Sequence, residues 1–304
     1  MSTNTTTIMG VDARTAAALA LPRSKRGRDK TSRRARLLPP PLVAAGWLLV
    51  PLFGFAQEAN KGVLLENLTW QQAEKTLTPN TVVVIPLGAA AKEHGPHLLL
   101  KNDFILAEYF KNRVLHAANV VIAPTVNYHF YPAFAEYPGS THLRLETARD
   151  LIVDICRSLS RHGPKKFYVL NTGVSTVRAL EPAATELAKN GITMRFTRLS
   201  SIEAVESKIR QQPGGTHADE IETSMILYID PAAADMRKAV KDYAPSTGTG
   251  LTRDPNNKNS TYSATGVWGD ATLATREKGK LVTEALLSAI LEDIEKLRTA
   301  PAER

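Results

Sequence analysis

Three short segments of this 304-residue chain carry side chains able to hold a cation or move a proton. They are Lys92-Glu93-His94-Gly95-Pro96-His97 with Asp103 close behind, Asn171-Thr172-Gly173-Val174-Ser175-Thr176, and His217-Ala218-Asp219-Glu220-Ile221-Glu222-Thr223-Ser224. His94, His97 and Asp103 fall within ten residues, and Gly95-Pro96 keeps that stretch out of a regular helix. Imidazole and carboxylate together suit a first-row divalent metal such as Zn, Mn or Fe. The chain has one cysteine, Cys156, in a helical pattern, so thiolate-rich sites are excluded and any metal must be held by nitrogen and oxygen. A cation held in this way can lower the pKa of bound water and polarise a carbonyl. Plainer readings stand beside this one. Asp103 or Asn102 is adequate as the N-cap of a following helix, and Glu220 and Glu222 as the acidic first turn of another, where their charge favours the helix dipole.

The elements around these segments say how they are positioned. Val82-Val83-Val84-Ile85 is a β-branched run read as a strand buried on both faces, and Pro86 and Gly88 then turn the chain into the Lys92–Asp103 segment. A helix begun by Thr69 precedes it; a helix from Phe104 to Ala117, a strand at Asn119–Pro124 and an aromatic loop at Asn127–Thr141 follow. Next come a helix at Glu146–Arg161, a strand at Lys166–Leu170, a helix at Val177–Asn190 capped by Ser175 and Thr176, and a strand at Ile192–Leu199. A helix over Ala218–Ile229, a Ser/Thr/Asn/Gly-rich loop at Tyr243–Gly269 and an amphipathic helix over Asp270–Leu297 complete the chain. This alternation predicts an α/β fold, a three-layer αβα sandwich with a mostly parallel sheet. In open sheets of this kind ligands bind beyond the carboxyl ends of the strands, where the polar segments lie. The aromatic loop is costly to leave in water and is expected to fold over a pocket.

The net charge of +8 is unevenly placed. Residues 1–56 hold nine Lys/Arg against two acids, leaving 29 basic and 28 acidic residues from Gln57 onward. A body so nearly neutral has no electrostatic footprint for nucleic acid. The basic start, the apolar run Leu37–Ala56 broken by prolines, and its Gly54-Phe55-Ala56 end read as an export signal, with Ser32–Leu38 similar to a twin-arginine motif. The expectation is an exported protein, periplasmic or secreted, with no stable membrane span after signal cleavage and a single catalytic domain over residues 57–300.

Four motifs in one order resemble the creatininase (creatinine amidohydrolase) family: IPLGAAAKEHGPHLLLKND, EYPGST, THADEIETS and GVWGDATLATREKG. The resemblance implies a creatininase-like α/β fold, a divalent metal centre, a small-molecule substrate cleaved at a C–N bond of a cyclic amide or related group, and a homo-oligomer. It places His94, Asp103 and Glu222 at ligand positions and His217 at a proton-transfer position. The chain departs from the family's pattern at two places. Lys92 stands where the family has its first glutamate ligand, with Glu93 one place along, and Asn171-Thr172-Gly173 replaces an Asn-Gly-His that supplies a histidine ligand. The set left is one ion on His94, Asp103 and Glu222, with Glu93 or His97 in reserve. Glu93 is a candidate base, and Lys92 a fixed positive charge able to take over part of a metal's electrostatic role. The competing reading is a metal-free small-molecule binding protein that kept the pocket and lost the centre.

Overall fold

The computed structural model describes residues 60–245 and 250–300; the leader, with its signal sequence and twin-arginine reading, lies outside the described residues. At the centre is a five-stranded, wholly parallel sheet of β1 (Val63–Leu64), β2 (Val82–Leu87), β3 (Val121–Ile122), β4 (Lys166–Asn171) and β5 (Thr193–Phe196), in the order β1-β3-β2-β4-β5. All six residues of β2 are buried, as expected of a strand covered on both faces. The side chains of Val82 and Val84 join a core with α2 (Asn102–Ala117), α6 (Glu220–Ile229) and α7 (Arg276–Thr299). Those of Val83, Ile85 and Leu87 join a second core with α3 (Leu145–Ser160) and α4 (Val177–Ala188). Those two cores are the interfaces of a three-layer sandwich.

Two further helices are short: α1 (Trp70–Thr76), begun by a capping box between Thr69 and Gln72, and α5 (Glu203–Ile209). Among the described residues no helix is long and apolar enough to cross a membrane.

The strand order locates the site. From β2 the chain crosses through α2 to β3 on one side, returns through α3 to β4 on the other, and continues outward through α4 to β5. The direction of winding reverses between β2 and β4, and the crevice beyond their carboxyl ends is where a ligand fits. Pro86 is tolerated in a central strand because its ring nitrogen faces the side on which β3 has already ended at Ile122. Its carbonyl still accepts from the Val126 amide at 2.9 Å. Gly88 follows, and no other residue fits there: a Cβ would lie 2.3 Å from the Asp103 carbonyl oxygen. That approach presses the first turn of α2 against the end of β2.

The sequence boundaries need correction at several places. Helix α7 starts at Arg276 rather than Asp270, with Thr275 as its cap accepting from the Lys278 amide. Helix α2 starts at Asn102, with Lys101 at its N-cap and no side-chain cap bond, so neither Asn102 nor Asp103 is the cap. Both side chains are drawn into the site instead. Helix α6 starts at Glu220 rather than Ala218, because Asp219 is the true cap, its carboxylate accepting from the amides of Ile221 and Glu222. Thr176 makes no cap bond either; its hydroxyl lies 2.6 Å from Asn171 Oδ1 and 2.7 Å from the Gly173 carbonyl, tying down the turn after β4.

Candidate active site and metal centre

Six side chains named from the sequence form one continuous chain of contacts. Lys92 Nζ lies 2.7 Å from Asp103 Oδ2, and Asp103 Oδ1 lies 2.8 Å from His94 Nε2. His94 Nε2 is 3.4 Å from Glu222 Oε1, Glu222 Oε2 is 3.7 Å from His217 Nδ1, and His217 Nε2 is 3.0 Å from Glu93 Oε2. Lys92, Glu93, His94, Asp103 and His217 are buried and Glu222 nearly so. His97 is also buried, yet it turns away from this chain to Thr223 Oγ1 at 2.8 Å.

Each member is held by a local cause. Lys92, Glu93 and His94 hang on the loop from β2, and the Glu93 amide donates to Ser140 Oγ of the aromatic loop at 2.9 Å. Asp103 comes from the first turn of α2. His217 is pinned by a two-way backbone bridge to Trp268, whose amide donates to the His217 carbonyl at 2.9 Å. That bridge explains what the Gly266-Val267-Trp268 stretch contributes. Gly266, at φ +84°, lies so close to Glu93 that a Cβ would stand 2.0 Å from the carboxylate. Ala218 then adopts φ +47°, a left-handed conformation costly for a residue with a Cβ. The kink points the Ala218 amide at Glu222 Oε2, 2.6 Å away, and lets His217 face inward.

The electrostatics follow from burial and neighbours. Burial pushes Glu222 up, but His94, His217 and Lys92 overturn this and hold its carboxyl well below the usual range. Burial likewise raises Asp103, and Lys92 and His94 reverse it, leaving the acid below its ordinary value. Burial and the Lys92 charge oppose protonation of His94, yet Asp103 and Glu222 prevail and lift it to about 9. Glu93, raised by burial, ends below its ordinary value because of His217. Burial takes His97 down to about 4. The acids are thus anionic at neutral pH, as a cation site requires.

The donor set fits a divalent ion. His94, His217 and Glu222 each offer a ligand atom, and these atoms all lie within 4.8 Å of one another. His94 Nδ1 donates to the Lys92 carbonyl at 2.9 Å, so Nε2 is the nitrogen turned to the acids, and a cation binding there would displace its proton. This set differs from the one read in sequence. The group of ligand atoms that lie together includes His217, expected as a proton carrier, and not Asp103, which contacts Lys92 and His94.

Sequence reasoning passed over several residues. Asn102 Nδ2 donates to Glu222 Oε1 at 3.1 Å, the Thr172 hydroxyl donates to the carbonyls of Leu87 and Asp103, and the Phe134 ring packs on His217 with centroids 4.2 Å apart. The one available signal was position: Asn102 adjoins Asp103, and Thr172 stands at the end of β4. The aromatic loop does close over the site, with Tyr131, Phe134 and Tyr137 buried together beside Leu251. The Lys92 ammonium sits 4.9 Å from the Phe134 ring centroid and 5.7 Å from that of Tyr131.

Comparison with known proteins identifies the family and the fold. The sequence profile of the creatinine amidohydrolase family, Creatininase, matches residues 66–294. A creatinine amidohydrolase of Pseudomonas putida is 28% identical over 255 residues, spanning 77% of this chain and 97% of its own. A mycofactocin precursor peptide peptidase of Mycobacterium tuberculosis is 28% identical over 223 residues, 67% of this chain and 81% of its own. A 3-dehydro-scyllo-inosose hydrolase of Thermotoga maritima is 25% identical over 256 residues, 76% and 82% respectively. Among solved structures, a manganese form of creatininase superposes with a TM-score of 0.66 at 24% identity, covering 79% of this chain and all of that one, which supports the fold. From the profile match and these relatives, the chain belongs to the creatininase (creatinine amidohydrolase) family and is a hydrolase acting on C–N bonds.

Proposed function

We propose that this protein is a metal-dependent amidohydrolase that opens a C–N bond in a small amide, cyclic or linear, and that it works after export. The observation that carries this reading is the continuous contact chain from Lys92 to Glu93 at the carboxyl ends of β2 and β4, with three ligand atoms within 4.8 Å of one another. His94, Glu222 and His217 would hold the ion, with Asp103 adjoining through His94. When bound, a divalent cation lowers the pKa of water toward about 7 and polarises a carbonyl.

The chain's own residues supply the rest. Glu93, kept anionic by its surroundings, is placed to take a proton from the attacking water. His217 Nε2, also 2.9 Å from the Glu93 carbonyl oxygen, orients that carboxylate. As the C–O bond forms and the C–N bond breaks, the proton on Glu93 passes to the departing nitrogen. The Lys92 ammonium borders the same cavity and favours negative charge building on the carbonyl oxygen. The Phe134 ring over His217 keeps bulk water from that edge.

A second reading rests on one observation. Lys92 Nζ already lies 2.7 Å from Asp103, a built-in cation beside an acid that a second ion would need, which favours a single ion or a metal-free binder over a paired centre. The deciding experiment is elemental analysis of protein purified without chelator, together with hydrolysis of lactams, cyclic amidines and linear amides before and after His94→Ala. Near-stoichiometric metal and turnover, both lost in H94A, support the enzyme; metal-free wild-type protein that still binds the panel supports the binder. Homo-oligomerisation and the export route of the leader belong to the same proposal, tested by light scattering and by cell fractionation.

A further inference from the structure

The cavity that reaches the contact chain has an extended apolar wall beside its polar groups. It measures about 510 Å³ and touches Lys92, His217 and Glu222 at one end. From there it continues along Leu106 and Phe110 of α2, Met225 of α6, Leu286 of α7 and Ile202 of the turn after β5. All five are core residues, none more than 6% exposed. Close-packed interiors do not leave apolar volume unfilled without cost, and a dry apolar cavity is a binding site for apolar matter.

The helical spacing ties this chamber to the chemistry. Glu222 and Met225 are three apart on α6, and Asp103, Leu106 and Phe110 fall at i, i+3 and i+7 on α2. Each helix therefore offers an acid in its first turn and apolar side chains further along the same face. Where these two helices converge, the cavity has ionic groups set beside an apolar wall. The other charged residues that border the cavity are engaged: Arg210 donates to Glu206 and lies 3.8 Å from Glu203, and Asp219 accepts from Gln212 and from the Ile221 and Glu222 amides.

We infer that the substrate is an amide bearing an aliphatic or aromatic substituent, whose C–N bond lies at the contact chain while the substituent fills the chamber. The inference rests on the amidohydrolase reading for the reaction, R–CO–NH–R′ plus water giving acid and amine, but its binding half stands without turnover. The test is calorimetric titration of the full-length protein with primary amides from acetamide to octanamide, and with a chain-matched amide ending in a carboxylate. Hydrolysis is followed separately by ammonia release. The expected result is a dissociation constant falling about fourfold per added methylene over the first several carbons, the equivalent of burying each CH₂, and weaker binding of the carboxylate-ended amide. Met225→Trp, which fills the chamber, is expected to flatten this dependence and Met225→Leu to keep it; should M225W fail to fold by circular dichroism, Ile202→Phe is read in its place. Affinity independent of chain length, tighter binding of the carboxylate-ended amide, or an unchanged slope in the folded filled variant overturns the chamber. Length-dependent binding with no ammonia released leaves the chamber standing and overturns only the amidohydrolase reading.

Discussion

Two lysines meet buried acids on the same side of the sheet and do opposite things. Lys278 of α7 reaches Glu220 of α6, and there every valence is met: the ammonium also donates to Gln211 Oε1 and to the Leu273 carbonyl, each at 2.8 Å. Glu220 accepts in addition from the amides of Gln211 and Gln212. At the end of β2, Lys92 makes one ion pair, to Asp103, and otherwise faces the rings of Phe134 and Tyr131 and the cavity. A saturated pair is a structural clasp, whereas an ammonium with donors to spare beside a cavity is available to a substrate. Burial and charge are similar in the two; what differs is how many partners remain unused.

The sharpest way to break the comparison is at the contact chain. His94→Ala is expected to lower turnover by about a thousandfold or more, on the scale of losing an essential electrostatic group, and to lower the urea midpoint as well, since Asp103 and Glu222 lose the imidazole between them. The lysines should then separate cleanly. Lys278→Met strands the wholly buried Glu220 carboxylate and is expected to cost about 3–5 kcal/mol in urea unfolding while leaving kcat per folded molecule intact. Lys92→Met should reverse that order, losing about a hundredfold in kcat with a smaller stability loss, because Asp103 keeps His94 as a partner. Equal effects of the two would erase the distinction.

A third buried group extends the contrast to a site with no cavity. His129 is fully buried, its Nε2 donating to the Ala148 carbonyl at 3.1 Å and its Nδ1 without a partner. Burial holds its imidazole down at about 4 against an ordinary 6.5. Unfolding frees the ring to take up a proton, so its stabilising effect is complete above pH 6.5 and fades as the pH falls toward 4. The loss should reach about 3 kcal/mol, read as a declining urea midpoint that His129→Gln makes less steep. Smaller still is the effect of metal. An ion at a hundred times its Kd should stabilise the protein by about 2.7 kcal/mol in thermal unfolding, reversed by chelator, absent in H94A and retained in Lys278→Met. Smallest, Ala218→Gly relieves the left-handed backbone before Asp219 and should stabilise by about 1 kcal/mol or less.

Much of the fold was legible in the sequence because it is written in local periodicity. The β-branched run of β2 and the alternation of helices and strands need no distant partner to be read. Boundaries failed where a side chain had a better use than its local one. Asn102 and Asp103 are good caps in isolation, but Glu222, Lys92 and His94 claim them. Asp219, passed over in the acidic run, became the cap of α6 because the kink at Ala218 brings its carboxylate over the first turn.

Residue type and spacing picked out the segments that hold all six members of the contact chain, and the creatininase resemblance gave those members their expected roles. Which of them converge as ligands was not legible. His217 and Glu222 lie more than a hundred residues from His94 along the chain, and only the packing of α6 against α2, with the Trp268 bridge, brings their ligand atoms within 4.8 Å of those of His94. The apolar chamber was equally hidden, since Leu106, Phe110, Met225 and Leu286 look like ordinary core residues in sequence. By itself the sequence determined the sheet, its layers and the kinds of group at its edge, because those follow from local pattern. The distances among those groups and the space beside them were decided only in three dimensions, because they depend on how helices remote in the chain pack together.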